Sequence, residues 1–142
     1  SGFPMGAVLA TKAVGDVMGP GSHGTTFGGN PLAMAVGNAV LDVMLADGFL
    51  DHVDTVAREL WDKLQDVAER HPGAIDHVRG AGLMLGLKCA GSNADMVAAL
   101  RAQRLLSVPA GDNVVRLLPP LIIGSAEVDE AVAKIERACA NF

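Results

Sequence analysis

The chain has 142 residues, half of them apolar, and a formal net charge of -5 at pH 7. A chain of this length can bury a core of its own, so we expect a globular protein. The acidic balance and the scattered lysines and arginines leave no basic surface for phosphates, which argues against nucleic acid as a partner. Every apolar run is interrupted before the roughly 18 residues that a membrane span needs, which argues against a membrane.

The two cysteines, Cys89 and Cys139, lie far apart in the sequence. Their spacing is not that of a zinc site, and no metal site is predicted elsewhere. We interpret both as small buried hydrophobic residues rather than as a disulfide. Free thiols are typical of a reducing compartment, so the prediction is a cytoplasmic protein.

The first third of the chain predicts a strand, a loop and a helix. The apolar run over 6–11, bounded by glycine and Lys12, is typical of a buried strand. Asn30 and Pro31 then mark a helix start, because asparagine caps free amides and proline needs no amide partner at the first position. Apolar residues on most sides of this helix predict that it is largely buried, with Gly48 as its end.

The rest of the chain predicts a small α/β domain over 48–142, since 1–47 is too short to form a domain alone. Strand and helix patterns alternate here. The predicted elements are a helix over 50–70, an extended run over 78–89, a helix over 92–104 capped by Ser92, strands over 105–109 and 114–118 around a turn at 111–113, and a final helix capped by Ser125.

The loop from Gly21 to Leu32, GSHGTTFGGNPL, is the first candidate site. Its glycines let the backbone approach a ligand closely, and it leads into a helix N-terminus, where free amides and the helix dipole favour an anion such as phosphate. Thr25 and Thr26 are the candidate hydroxyl donors. The loop matches neither dinucleotide nor Walker spacing. The alternative is a plain connection in which the glycines form turns and the threonines cap backbone groups.

Arg116 is the second candidate site residue. It lies in the otherwise apolar run Val114 to Leu118. A buried guanidinium requires an anion, and its planar fork suits a carboxylate. A substrate carboxylate and a structural Asp or Glu both satisfy this requirement, and the sequence leaves the two open.

Four stretches in the same order resemble the class III pyridoxal-phosphate-dependent aminotransferases. They are SGFPMGAVLAT, HGTTFGGNPLA, VRGAGLMLG and NVVRLLPPL. Together they span almost the whole chain. The helix sequence MAVGNAVLDVMLADGF adds to them and is similar to the acetylornithine aminotransferase branch of that family.

The resemblance implies an α/β protein of the pyridoxal-phosphate transferase fold type I, like aspartate aminotransferase. Residues 1–47 would be the end of the large cofactor-binding domain, and 48–142 the small C-terminal α/β domain. A homodimer with active sites shared between subunits is implied. Thr26 would bind the pyridoxal 5'-phosphate of the other subunit through its phosphate, and Thr25 would lie near the substrate. Arg116 would bind a substrate carboxylate or pair with an acidic gate residue.

The implied reaction transfers the δ-amino group of N-acetylornithine to 2-oxoglutarate in arginine biosynthesis. Class III ω-aminotransferases acting on ornithine, succinylornithine or 4-aminobutyrate share the motifs and remain alternatives, as does a non-catalytic dimerising fragment. The Schiff-base lysine of the family is expected upstream of Ser1, so no residue of this chain is predicted to be catalytic. The opening without methionine reads as a loop already under way. We therefore expect a fragment that is inactive by itself.

Overall fold

The computed structural model describes residues 3–140 and 142 of the chain. Its contacts divide the chain into two compact units, of which the first ends at Phe49 and the second begins at Leu50. The helices are α1 (Lys12–Gly15), α2 (Pro31–Met44), α3 (Phe49–Arg70), α4 (Asn93–Ala102) and α5 (Ser125–Cys139). The strands are β1 (Ile75–Ala81), β2 (Met84–Cys89), β3 (Val108–Ala110) and β4 (Val114–Leu117).

The N-terminal unit contains α1, α2 and irregular chain. Helix α2 starts as predicted, because the Asn30 Oδ1 accepts a hydrogen bond from the Ala33 amide at 2.9 Å. The strand predicted over 6–11 is wrong: these residues have no regular structure, and Val8 and Leu9 are 92% and 98% exposed. A strand needs a neighbour for its backbone hydrogen bonds, and the described part of this unit contains no other strand.

The predicted burial of α2 is also wrong. Of its described residues only Ala33 is buried, while Leu32, Leu41 and Val43 are each more than half exposed. The unit has too few elements to cover an apolar helix, so α2 presents an exposed hydrophobic surface. Within 3–140, no single helix is long and apolar enough to cross a membrane, although α2 and α3 pass that test as a pair on length and composition.

The C-terminal unit contains an antiparallel sheet in the order β1-β2-β4-β3. The extended run predicted over 78–89 is in fact a hairpin of β1 and β2. Gly80 has a φ of +139°, and a Cβ at this position would lie 2.2 Å from the Met84 carbonyl oxygen, so only glycine fits. The two short strands flanking the turn at 111–113 are confirmed, although β3 begins at Val108, later than predicted.

The core of this unit lies between one face of the sheet and the helices α3, α4 and α5. Cys89 and Cys139 are buried and free, as predicted, and burial raises the pKa of the Cys139 thiol to about 11. The largest fully buried side chains are Leu64, Ile75, Leu85, Leu87, Met96, Leu100 and Ile135.

Capping interactions fix the N-termini of α4 and α5. The Ser92 side chain accepts from the Asp95 amide at 3.3 Å, as predicted. The cap of α5 is one residue earlier than predicted, at Gly124, whose amide donates to the Glu127 carboxylate at 2.9 Å. Ser125 is instead the first helical residue, and its hydroxyl donates to Glu59 of α3 at 2.7 Å.

We expect Leu64→Ala to lower the free energy of unfolding by about 2–5 kcal/mol, because it leaves a cavity in a close-packed core. Leu64 has 0% exposure. Urea denaturation of the chain followed by circular dichroism measures the change. Asp62→Ala, at an exposed position of the same helix, is the control and should stay within about 0.5 kcal/mol of the unchanged protein. Equal losses in the two variants would contradict this packing of α3.

Candidate functional site

The threonine pair lies in the loop that leads into α2. Thr25 and Thr26 are both exposed, and within the residues described neither hydroxyl has a hydrogen-bond partner. These threonines therefore do not cap backbone groups, and that alternative for the loop is wrong. Both hydroxyls are left able to donate to a ligand.

Local contacts fix the shape of this loop. Gly29 has a φ of +70°, and a Cβ at Gly28 would lie 2.3 Å from the Thr25 Cγ2, so the Thr25 side chain rests directly against Gly28. The Asn30 Nδ2 donates to the Phe27 carbonyl oxygen at 2.7 Å. Since the Oδ1 of the same residue caps α2, Asn30 ties the loop to the helix start.

The loop and the start of the chain line one cleft of the N-terminal unit, together with the first turn of α2. Thr25 lines this cleft and Thr26 does not. The unpartnered Thr25 hydroxyl, beside the N-terminus of a 14-residue helix, suits an oxygen of a phosphate. No lysine or arginine lines this cleft. These residues therefore fit the phosphate of pyridoxal phosphate and not its aldehyde, which needs an amine.

The lysines are engaged elsewhere. Each of the four has a carboxylate partner: Lys12 pairs with Asp16 at 2.6 Å, Lys63 with Glu59 at 2.6 Å, Lys88 with Asp112 at 2.8 Å and Lys134 with Glu130 at 2.5 Å. The pKa of Lys63 is raised, chiefly by its hydrogen bond to Asp129 and then by that to Glu59. Such pairing favours the ammonium form over the neutral amine that attacks a carbonyl.

Arg116 lies on β4 of the C-terminal unit, between two buried residues, Val115 and Leu117. The strand exposes Arg116 on its other face, so the burial that the apolar run suggested is wrong. Side chains alternate across a strand, and only one face of this sheet is covered. In the described part of the chain the guanidinium has no hydrogen bond or ion pair, so no structural Asp or Glu partner is present there.

An ion-pair cluster on the same sheet face was not predicted as a site. The Arg79 Nη1 lies 2.9 Å from the Asp112 Oδ2, and the Lys88 Nζ lies 2.8 Å from the Asp112 Oδ1. Lys88 also donates to the backbone oxygen of Asp112 at 2.6 Å. The pKa of the Asp112 carboxyl is held below its ordinary value. The hydrogen bond and charge of Lys88 have the largest effect, and the hydrogen bond of Arg79 has a smaller one. We call these three residues the Asp112 cluster.

A match to the model of a protein family shows the family of this chain. The description "Aminotransferase class-III" matches residues 1–139. The chain belongs to the class III aminotransferases. Acetylornithine aminotransferase 1 of Bradyrhizobium diazoefficiens is 57% identical over 139 residues, which are 98% of this chain and 34% of the relative. Other curated relatives at 46–58% identity are also acetylornithine aminotransferases.

Solved structures of class III aminotransferases share the fold. The acetylornithine aminotransferase from Elizabethkingia anophelis matches with a TM-score of 0.78 at 32% identity, over 94% of this chain and 36% of that one. The ornithine aminotransferase from Toxoplasma gondii, described with partial occupancy of PLP at its active site, matches with a TM-score of 0.75 at 33% identity, over 90% and 31%. The predicted fold class, α/β of fold type I, is confirmed. The chain spans about a third of the length of these relatives.

The sequence contained only weak signals for the Asp112 cluster. The turn at 111–113 is predicted from its composition alone, and nothing in the local sequence marks Arg79 as a partner of Asp112. The partners of Asp112 lie 33 and 24 residues away along the chain. Only the pairing of strands brings them together in this class III aminotransferase chain.

We expect the Asp112 carboxyl to titrate below its ordinary value of 3.8. Carbon-detected NMR of the side-chain carboxyl measures the midpoint. Lys88→Gln should raise the midpoint more than Arg79→Gln, because Lys88 is the larger cause. A depressed carboxyl pKa adds stability above the unfolded pKa, and this is lost as pH falls through the folded pKa. Asp112→Asn should therefore destabilise the chain at neutral pH and not in strong acid. An equal effect at both pH values would contradict the ion pairing.

Proposed function

We propose that this chain is part of an acetylornithine aminotransferase, an enzyme that transfers the δ-amino group of N-acetylornithine to 2-oxoglutarate in arginine biosynthesis. The observation that carries the proposal is 57% identity to such an enzyme over 98% of this chain. The Schiff-base lysine is assigned to sequence outside this chain, because its own lysines all pair with carboxylates. The protein is assigned to the cytoplasm.

Pyridoxal phosphate, when bound, supplies the electron sink that makes the proton beside the transferred nitrogen labile. The role assigned to this chain is to hold the cofactor and the substrate. Thr26 donates its free hydroxyl to the phosphate, assisted by the amides at the start of α2. Thr25, which rests against Gly28 and lines the cleft, is assigned to the substrate.

A homodimer with shared active sites is part of the proposal. The exposed apolar residues of α2, among them Leu32, Leu41 and Val43, form a surface that is costly to leave in water. A second copy of the enzyme covers that surface, and the loop beside it then reaches the cofactor phosphate of the partner. Residues 1–47 are assigned to the large domain, and 48–142 to the small domain.

Arg116 is assigned to a carboxylate. Its guanidinium is exposed and lacks a partner within the described residues, so its donors are available. The planar fork binds a carboxylate through two parallel hydrogen bonds. The ligand is a carboxylate of 2-oxoglutarate, or an acidic gate residue in the rest of the enzyme when that substrate is absent.

Substrate choice separates this proposal from its alternatives. Curated relatives at 46–58% identity are acetylornithine aminotransferases, whereas among solved structures an acetylornithine and an ornithine aminotransferase match this chain about equally, at 32% and 33% identity. A coupled assay of the full-length protein with acetylornithine, ornithine, succinylornithine and 4-aminobutyrate tests the assignment. We expect the highest kcat/KM with acetylornithine. Absence of transamination with all four donors would contradict the proposed function.

We expect Thr26→Ala to weaken cofactor binding in the full-length enzyme by about 1–3 kcal/mol, because the charged phosphate loses a donor. Equilibrium dialysis followed by the visible absorbance of bound cofactor measures retention. Thr11→Ala is the control, since Thr11 is also exposed and makes no side-chain cap bond. Unchanged retention in Thr26→Ala would remove the phosphate role. Thr25→Ala should act on substrate KM instead.

We expect Arg116→Gln to raise the KM for 2-oxoglutarate by about 10- to 100-fold, the range for a lost hydrogen bond between charged groups. Steady-state kinetics of the second half-reaction measures it. Arg116→Lys should recover only part of the loss, because an ammonium lacks the planar fork. Arg101→Gln, at an exposed position of α4, is the matched control. If its KM and that of Arg116→Gln were the same, Arg116 would not bind the substrate.

A further inference from the structure

The open face of the sheet brings two arginines into one cross-strand row. Arg79 on β1 pairs with Gly86 on β2, and Gly86 pairs with Arg116 on β4. Directly paired residues project from the same face of a sheet. Two strand spacings place the Cα atoms of the arginines about 10 Å apart. Only a glycine stands between them, so both side chains could reach one anion.

The Arg79 side chain does not turn toward Arg116. It crosses β2 and donates at 2.9 Å to the Oδ2 of Asp112, which lies just before the start of β4. The Nζ of Lys88, on the same face, donates to the Oδ1 of the same carboxylate at 2.8 Å. Of the three cations of this sheet face, Arg116 alone has no partner within the described residues.

Gly86 leaves the path open for Arg79. A Cβ at this position would lie 2.8 Å from the Val114 Cγ1 and 3.6 Å from the Arg79 Cγ. Gly86 is itself buried, although it lies on the open face, because these side chains cover it. The residue type at 86 therefore lets the arginine cross the strand.

Asp112 is presented by an anchored turn. Asp112 and Asn113 have φ values of +58° and +53°, which few side chains tolerate and which Asp and Asn adopt more readily than most. The Asn113 Nδ2 donates to the carbonyl oxygens of Cys89 and Gly91 at 2.9 and 2.6 Å. These hydrogen bonds fix the turn that carries the Asp112 carboxylate.

We propose that Asp112 is a positioning residue that limits the strength of anion binding at Arg116: by holding Arg79 and Lys88 in the Asp112 cluster, it leaves Arg116 as the single cation for a substrate carboxylate. The inference rests on the proposed role of Arg116. Both 2-oxoglutarate and its product are dicarboxylates, so extra free cations near Arg116 would bind either of them too tightly. The carboxylate of Asp112 prevents this.

The test is Asp112→Asn in the full-length enzyme, a change that suits the positive φ and removes only the charge. We expect the KM for 2-oxoglutarate and the inhibition constant of glutarate, an unreactive dicarboxylate, to fall about 3-fold at low ionic strength. In about 0.5 M salt the difference should disappear, since screening then acts over a few ångströms. A purely structural role predicts a higher KM at every salt concentration and would overturn the proposal.

The double variant Asp112→Asn with Arg79→Gln restores the original net charge. We expect both constants to return to their original values. If they stay low, Arg79 is not the cation that Asp112 restrains. If KM instead rises above the original value, Arg79 is itself a substrate ligand. Either result overturns the proposal. Should Asp112→Asn fail to fold, Arg79→Gln alone, which leaves the Asp112 charge less compensated, should raise KM about 3-fold at low salt, and an unchanged KM would overturn the proposal.

Two further variants separate the possible failures. Asp62→Asn adds the same charge at an exposed position on α3 and should leave both constants unchanged; an equal fall there would show a general charge effect and overturn the proposal. Arg116→Gln reports on the proposed function. If it leaves KM unchanged, the assignment of Arg116 fails; if it raises KM while Asp112→Asn has no effect, only the role of Asp112 fails.

Discussion

The register of β2 against β4 is the constraint on which the C-terminal unit depends. It pairs Leu85 with Leu117 on the covered face of the sheet, and it therefore places Gly86 beside Arg116 on the open face. A slip by one residue would exchange the two faces. If β4 slipped, the Arg116 guanidinium would enter the core and Leu117 would enter water. Burial of apolar side chains thus decides where the charged side chain points.

The same register places the three cations Arg79, Lys88 and Arg116 on one exposed surface. Arg79, Lys88 and Asp112 remain 48%, 23% and 62% exposed as side chains, so water screens their interactions. Exposed ion pairs of this kind add little to the stability of a fold. Their effect is on geometry: the carboxylate decides the direction of two long, flexible side chains. A cluster that adds only a little to stability can still control the field around Arg116.

Local patterns predicted most of the helices and missed what depends on distant partners. The caps at Asn30 and Ser92 were predictable because each involves residues three positions apart. The strand over 6–11 was wrong because an apolar run does not reveal whether another strand lies beside it. The exposure of Arg116 was hidden because Val114, two residues earlier on the same face, is apolar and buried. The partners of Asp112 are set by strand pairing, which the sequence alone does not give.

The threonine loop differs from the Asp112 cluster in how its shape is maintained. Its unit has almost no core, yet Asn30 fixes both the Phe27 carbonyl and the first turn of α2. Gly29 and Gly28 supply a positive φ and a close approach that a side chain would prevent. Because these contacts are all local, the hydroxyls of Thr25 and Thr26 can be arranged before any other surface covers α2. In the proposed dimer the second subunit would contribute burial and the anion, while the loop contributes a geometry that costs little further ordering on binding.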